Sequence, residues 1–139
     1  MGSGCGKAVF AASLLYPGLA KASGVELLTG LHQQAQGFAK KFEKVALPRS
    51  PVEFVNRDFT DEAVDLSDAD VVFAYATRFA TTDDGLYTTE LSDKLKELKP
   101  GARVVTVDKR LMGPFSLIKT LEDPNGDLQL STGYVWRRN

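Results

Sequence analysis

Apolar positions along the chain switch between helical and strand rhythms. Residues 7–16 (KAVFAASLLY) are apolar nearly all round, as in a helix buried against a sheet, and Pro17-Gly18 ends the run. Residues 23–28 (SGVELL) form a short apolar run broken by one acid, Glu26, and read as a strand. From 29 to 47, Leu31, Ala35, Phe38 and Phe42 recur at helical spacing, with Thr29 placed to cap the start and Pro48 beyond the end. Residues 52–55 (VEFV) predict a strand running into Asn56, Arg57, Asp58 and Phe59. Residues 69–76 (ADVVFAYA) are the most β-prone stretch, and their lack of alternation predicts a strand covered on both faces.

A second amphipathic helix is expected over 85–98, with Leu91, Leu95 and Leu98 on one side and Asp83-Asp84 as its cap. Residues 102–108 (ARVVTVD) follow as a strand. The rhythm then changes. Residues 115–121 and 128–136 flank Asp123-Pro124-Asn125-Gly126-Asp127, a strong turn signal, so the C-terminus predicts an antiparallel hairpin. Helices alternating with strands imply a parallel sheet with helices on both faces, a doubly wound α/β fold with an antiparallel edge. Such sheets bind cofactors beyond the carboxyl ends of their strands.

Composition narrows the chemistry. At 139 residues the chain has the length of one ordinary domain, and the expectation is a single domain over 1–139. A net charge of −1 gives no global basic field for nucleic acid, although a local basic patch stays open. With Cys5 and His32 as the only soft ligands, no metal site is expected, and one cysteine permits no internal disulfide. No apolar run approaches the roughly 18 to 20 residues of a membrane span, and no signal peptide is visible. The expectation is a soluble, intracellular protein without a membrane partner; its oligomeric state is left open.

The candidate chemistry starts at the extreme N-terminus, in Gly2, Ser3, Gly4, Cys5, Gly6 and Lys7 (GSGCGK). Glycines allow turns that bring backbone N–H groups close to a nucleotide. A P-loop requires Gly, four residues, then Gly-Lys-Ser/Thr; here Ala8 follows Lys7, and Met1 stands where the first glycine is needed. The dinucleotide fingerprint G-x-G-x-x-G would need glycine at Lys7. The observed spacing, Gly2-x-Gly4-x-Gly6, resembles instead the first motif of class I S-adenosylmethionine-dependent methyltransferases. A flexible or tag-like terminus is the plain alternative. Glu26 lies about 20 residues on, at a predicted strand end, where an acid can accept from both ribose hydroxyls. Asp58-Phe59 follows the next strand, where an acid can accept from an adenine amino group while an apolar neighbour packs on the ring. Each acid also has a plain reading, as a solvated strand end or a turn residue.

The segments GSGCGKAVFAASLLYP, GVELLTGLH, NRDF, SDADVVFAYATRF and LKPGARVVT succeed one another as in the disruptor-of-telomeric-silencing family of non-SET histone lysine methyltransferases, which the chain resembles from Gly2 to about Arg110. The resemblance implies a Rossmann-like class I methyltransferase fold, S-adenosylmethionine as cofactor, and a protein substrate such as a histone. It assigns Gly2, Ser3, Gly4 and Gly6 to the cofactor loop, Glu26 and Leu27 to the ribose end, and Asp58 and Phe59 to the adenine. Tyr75, Thr77 and Phe79 fall where the family lines its methyl-transfer channel. There the chain departs from the pattern, carrying Tyr75-Ala76-Thr77 where the family usually has asparagine, often followed by a small hydroxyl residue. The loop 77–84 is a candidate substrate lid.

The family's central strand and a helical segment precede the glycine turn, so the resemblance also implies a chain truncated at its N-terminus and lacking that strand. A misjudged start and a non-catalytic remnant acting as a binding module are the alternatives. A histone acceptor would imply a nuclear location, any other a cytoplasmic one. Cys5, His32, Tyr134, Val135, Trp136, Arg137 and Arg138 are expected to have structural or solvent-facing roles only.

Overall fold

The computed structural model describes residues 1–122 and 132–139. Its elements run α1 (Lys7–Leu15), β1 (Ala22–Glu26), α2 (Thr29–Phe42), β2 (Val52–Asn56), β3 (Val71–Tyr75), α3 (Glu90–Lys94), β4 (Arg103–Val107), β5 (Phe115–Leu121) and β6 (Gly133–Arg138), with short 3-10 turns at Ala76–Arg78 and Leu95–Glu97. The chain divides into two compact units, Met1–Asp61 and Glu62–Asn139.

In the first unit, β1 and β2 pair in parallel from Ala22↔Val52 to Glu26↔Asn56. Helix α1 is tied to the segment entering β2 by a reciprocal link. Ser13 Oγ donates to the Ser50 carbonyl at 2.5 Å, and the Ser50 N–H donates to the Ser13 carbonyl at 3.1 Å. Phe10 of α1 sits with its ring centroid 4.8 Å from Phe42 of α2 and 5.3 Å from Phe54 of β2, so one aromatic cluster joins three elements. Val9, Ala22, Val25 and Ala35 complete the core. Helix α2 stops at Phe42, five residues short of the expected 47. Beyond the helix end the Arg49 guanidinium donates to the carbonyls of Glu43, Val45 and Leu47, satisfying main-chain acceptors of the irregular segment.

In the second unit the strand order is β3-β4-β6-β5, with β3 parallel to β4 and the other pairings antiparallel. The first expected hairpin strand is Phe115–Leu121; the second, expected over 128–136, is Gly133–Arg138 among the described residues, and the pair has a register irregularity between Leu117 and Lys119. The expected turn at 123–127 lies outside the described residues. Val104, Leu91, Leu95 and Trp136 form the core, and Trp136 Nε1 donates to Thr106 Oγ1 at 3.0 Å inside it.

Three expectations are corrected. β3 is not covered on both faces: Val72 and Ala74 are buried, whereas Val71 and Tyr75 are 64% and 53% exposed, so its side chains alternate between a covered and an open face. The helix expected over 85–98 is only α3 plus the following 3-10 turn, because the preceding residues form a turned ribbon with an isolated bridge Thr81↔Thr88. Asp84 therefore does not cap α3. It accepts from Thr82 Oγ1 at 2.6 Å and from the Leu86 N–H at 2.9 Å, hydrogen bonds that hold its carboxyl below the usual carboxylate range. Among the described residues β1 pairs with β2 alone and β3 with β4 alone, as expected for a sheet without the strand that precedes the glycine turn in the family.

Thr106→Val keeps the shape of that side chain but leaves the buried Trp136 N–H without its acceptor. Such a loss costs about 1–3 kcal/mol, so the urea midpoint of T106V should fall measurably, with the slope of the transition unchanged.

Candidate active site

The glycine turn closes on itself before α1 begins. The Gly6 N–H donates to the Ser3 carbonyl at 2.9 Å, and the Ser3 N–H donates to the Val25 carbonyl of β1 at 3.0 Å. Gly6 occupies the N-cap position at φ 92°, and a Cβ there would lie 2.7 Å from the Phe54 ring. Backbone conformation and the aromatic cluster therefore both demand glycine. Gly4, at φ 55°, has open space where a Cβ would point.

Glu26 ends β1 and is only 7% exposed, yet its carboxylate is held by main-chain donors on both sides. Gly4 N–H donates to Oε2 at 2.7 Å and Leu28 N–H to Oε1 at 2.9 Å. Bonds of this charge-assisted kind make a buried carboxylate tolerable. Each oxygen keeps a further lone pair, so two hydroxyl donors can still be accepted. Burial pushes the Met1 α-amino group down from its ordinary 8.0 to about 6, the Glu26 charge opposing the shift.

Asn56, at the end of β2, connects the strand ends. Its Nδ2 donates to the carbonyls of Glu26 at 2.8 Å and Leu27 at 3.0 Å, and its Oδ1 accepts from Thr29 Oγ1 at 3.0 Å. Sequence reading placed Asn56 only within the NRDF segment and missed this role. The available signal was an amide side chain at a strand end, next to a strand that also ends in a polar residue. Beyond Asn56, Asp58 is exposed, and its Oδ1 accepts from the Thr60 N–H at 2.9 Å and the Thr60 hydroxyl at 2.8 Å, leaving the other oxygen directed to neither. Phe59 is half-buried and Leu27 is 60% exposed.

The structure thus brings Ser3, Gly4, Gly6 and Glu26 together, with Leu27, Asp58 and Phe59 on the chain leaving the same two strand ends. Gly2 is exposed at the start of the turn. Tyr75, Thr77 and Phe79 belong to the second unit, where β3 ends and turns through Ala76–Arg78. Ala76 is fully buried, while Tyr75 and Thr77 are exposed and Phe79 is half-buried. The candidate lid is anchored by the bridge at Thr81 and by the Thr82 N–H donating to the Tyr87 carbonyl at 2.9 Å. Among the described residues no group of three or more His, Cys, Asp and Glu side chains could hold a metal, and no helix is long and apolar enough to cross a membrane.

Residues 1–123 match the family model described as Histone methylation protein DOT1. The chain belongs to this family. No curated protein matches it. Among solved structures, this DOT1-family chain is similar to an RNA methyltransferase from Salinibacter ruber in complex with S-adenosyl-L-homocysteine, with 27% identity and a TM-score of 0.65, over 99% of this chain and 76% of that one. A SAM-dependent methyltransferase from Aquifex aeolicus shares 14% identity at a TM-score of 0.72, over 99% and 79%. One from Methanosarcina mazei shares 15% at 0.66, over 99% and 89%. The fold is the Rossmann-like one of these methyltransferases. The DOT1-family chain is an S-adenosylmethionine-dependent methyltransferase. The site fits that cofactor: a buried carboxylate with lone pairs to spare lies beside a glycine whose Cβ direction is open.

Glu26→Gln replaces one carboxylate oxygen with an amide that cannot accept the Gly4 or Leu28 N–H. Losing about 2 kcal/mol of charge-assisted hydrogen bonding should weaken S-adenosylmethionine binding about 30-fold by calorimetry. Gly6→Ala should weaken both binding and folding, by about 1–3 kcal/mol of strain read as a lower urea midpoint.

Proposed function

We propose that the chain is a protein lysine N-methyltransferase acting on a histone or histone-like protein. One observation carries this reading: the match to the histone-methylation family over residues 1–123. When bound, S-adenosylmethionine supplies an electrophilic methyl group on a sulfonium, which suits in-line transfer to a neutral amine.

In this reading Glu26 accepts from the ribose hydroxyls, with Leu27 beside it, and Asp58 accepts from the adenine amino group while Phe59 packs on the ring. Gly2, Ser3, Gly4 and Gly6 supply close backbone. The methyl acceptor must arrive neutral and aligned, so the protein's task is positioning and removal of water rather than acid–base chemistry. Tyr75, Thr77 and Phe79 are assigned to the acceptor. The aromatic surfaces favour an uncharged amine by lowering its pKa, and the two hydroxyls orient its lone pair. Tyrosine at 75 is larger than the asparagine usual in the family and has one donor, which would narrow the range of side chains admitted. A histone acceptor would place the work in the nucleus.

Incubation of the chain with radiolabelled S-adenosylmethionine and, separately, with histone octamers, nucleosomes and total RNA tests the reading. Label on histone lysines is expected, and Tyr75→Phe should lower kcat about tenfold, the cost of one hydrogen bond. Label on RNA alone would overturn it. Cofactor binding without transfer to any of the three would favour a binding module instead.

A further inference from the structure

Next to the glycine turn, α1 and α2 flank an open groove in the first unit, a cavity of about 440 Å³ that Cys5 and Lys7 of the turn also line. Phe10 and Leu14 line one wall at i, i+4 spacing, and Phe38 and Phe42 line the other at the same spacing, with Val45 from the segment after α2. Leu14 and Phe38 are 37% and 45% exposed, so the groove presents apolar surface to water. The volume lies within the roughly 300–1,000 Å³ of ligand-binding clefts.

The rim is cationic. Neither helix carries an acidic residue, while Lys7, Lys40 and Lys41 all lie on them. Lys7 and Lys41 border the groove, with the Lys41 ammonium 5.9 Å from the Phe38 ring centroid. The Arg49 guanidinium lies 5.6 Å from the Phe42 ring centroid. Glu43, the nearest acid along the chain, follows α2 and does not line the groove. This positive rim belongs to a chain whose net charge is −1.

We propose that the groove is a docking site for an acidic amphipathic segment of a partner protein. Its apolar side chains enter between the Phe10–Leu14 and Phe38–Phe42 walls, and its carboxylates meet Lys7 and Lys41, the recognition of an amphipathic helix in a groove. A second copy of the chain is a poorer occupant, since a symmetric contact would set lysine against lysine. A lipid surface fits less well, because the apolar side chains line a depression instead of projecting from the helices. The proposal does not depend on which acceptor is methylated.

Cys5 lines the same groove and is the only cysteine of the chain, so its thiol reports occupancy. The probe is a synthetic helical peptide of Leu, Phe and Glu with apolar residues at i, i+3, i+4 and i+7. Its controls are the same peptide with Lys for Glu, and vesicles of phosphatidylcholine with phosphatidylserine. The acidic peptide should bind with a Kd on the order of 10 μM, weaken with added salt, and slow the reaction of Cys5 with Ellman's reagent. Lys7→Glu and Lys41→Glu, both surface changes, should each weaken binding about tenfold, and Phe38→Ala should do the same without charge change. Circular dichroism and urea midpoints of the three variants check that they fold; a variant that does not is set aside and the other two decide. Equal binding of the lysine peptide, binding indifferent to all folded variants, or binding to vesicles alone would overturn the proposal.

Discussion

Much of the first unit hangs on the two hydrogen bonds received by the Glu26 carboxylate. A carboxylate removed from water is costly unless donors replace its hydration, and here the replacements are main-chain N–H groups of Gly4 and Leu28. Gly4 belongs to the turn before α1, and Leu28 to the turn before α2. One side chain therefore fixes the starts of both helices relative to the end of β1. Asn56 extends the same arrangement to β2 by donating to the carbonyls of Glu26 and Leu27. The acid is thus a structural tie between three elements, with lone pairs left over on both oxygens.

Methyl transfer suits a site built in this way. It needs no nucleophile of the protein's own and no acid–base pair, only alignment and dryness. Backbone groups held by a buried carboxylate are rigid, and rigidity is what alignment requires. The same economy explains why glycine recurs in the turn. At Gly6 the positive φ and the adjacent Phe54 ring leave no room for a side chain, so the aromatic cluster that packs the unit also dictates the shape of the loop.

The two helices of the first unit work on more than one side. Phe10 and Phe42 close the core around Phe54, yet both also line the groove on the helices' open side. Aromatic rings are large enough to do this, burying one edge and leaving another in solvent. The lysines of the same helices are thereby set around apolar surface, which an evenly mixed surface would not provide.

Much of this was legible along the chain. The spacing of Gly2, Gly4 and Gly6, the acid at the end of the first strand, and the alternation of helical and strand runs are local or short-period features; the alternation implied the fold class, and the resemblance carried by the motifs implied the cofactor. Periodicity could not reveal that α2 would end at Phe42, where the carbonyls of the following segment are satisfied by the Arg49 side chain and not by helical N–H groups. Nor could it show that residues 81–88 would turn on Asp84 instead of starting a helix, since hydroxyl and carboxylate groups there satisfy the backbone locally. The open face of β3 escaped notice for a related reason: an unbroken apolar run states what could be covered, while coverage depends on which elements arrive. By itself, then, the sequence determined the kinds of element, their order and the candidate residues, because propensity and pattern act over a few neighbours. Only the tertiary structure decided the bond between Glu26 and the Gly4 N–H, the clamp at Asn56 and the groove between α1 and α2, because each joins groups far apart in the chain whose meeting no local pattern encodes.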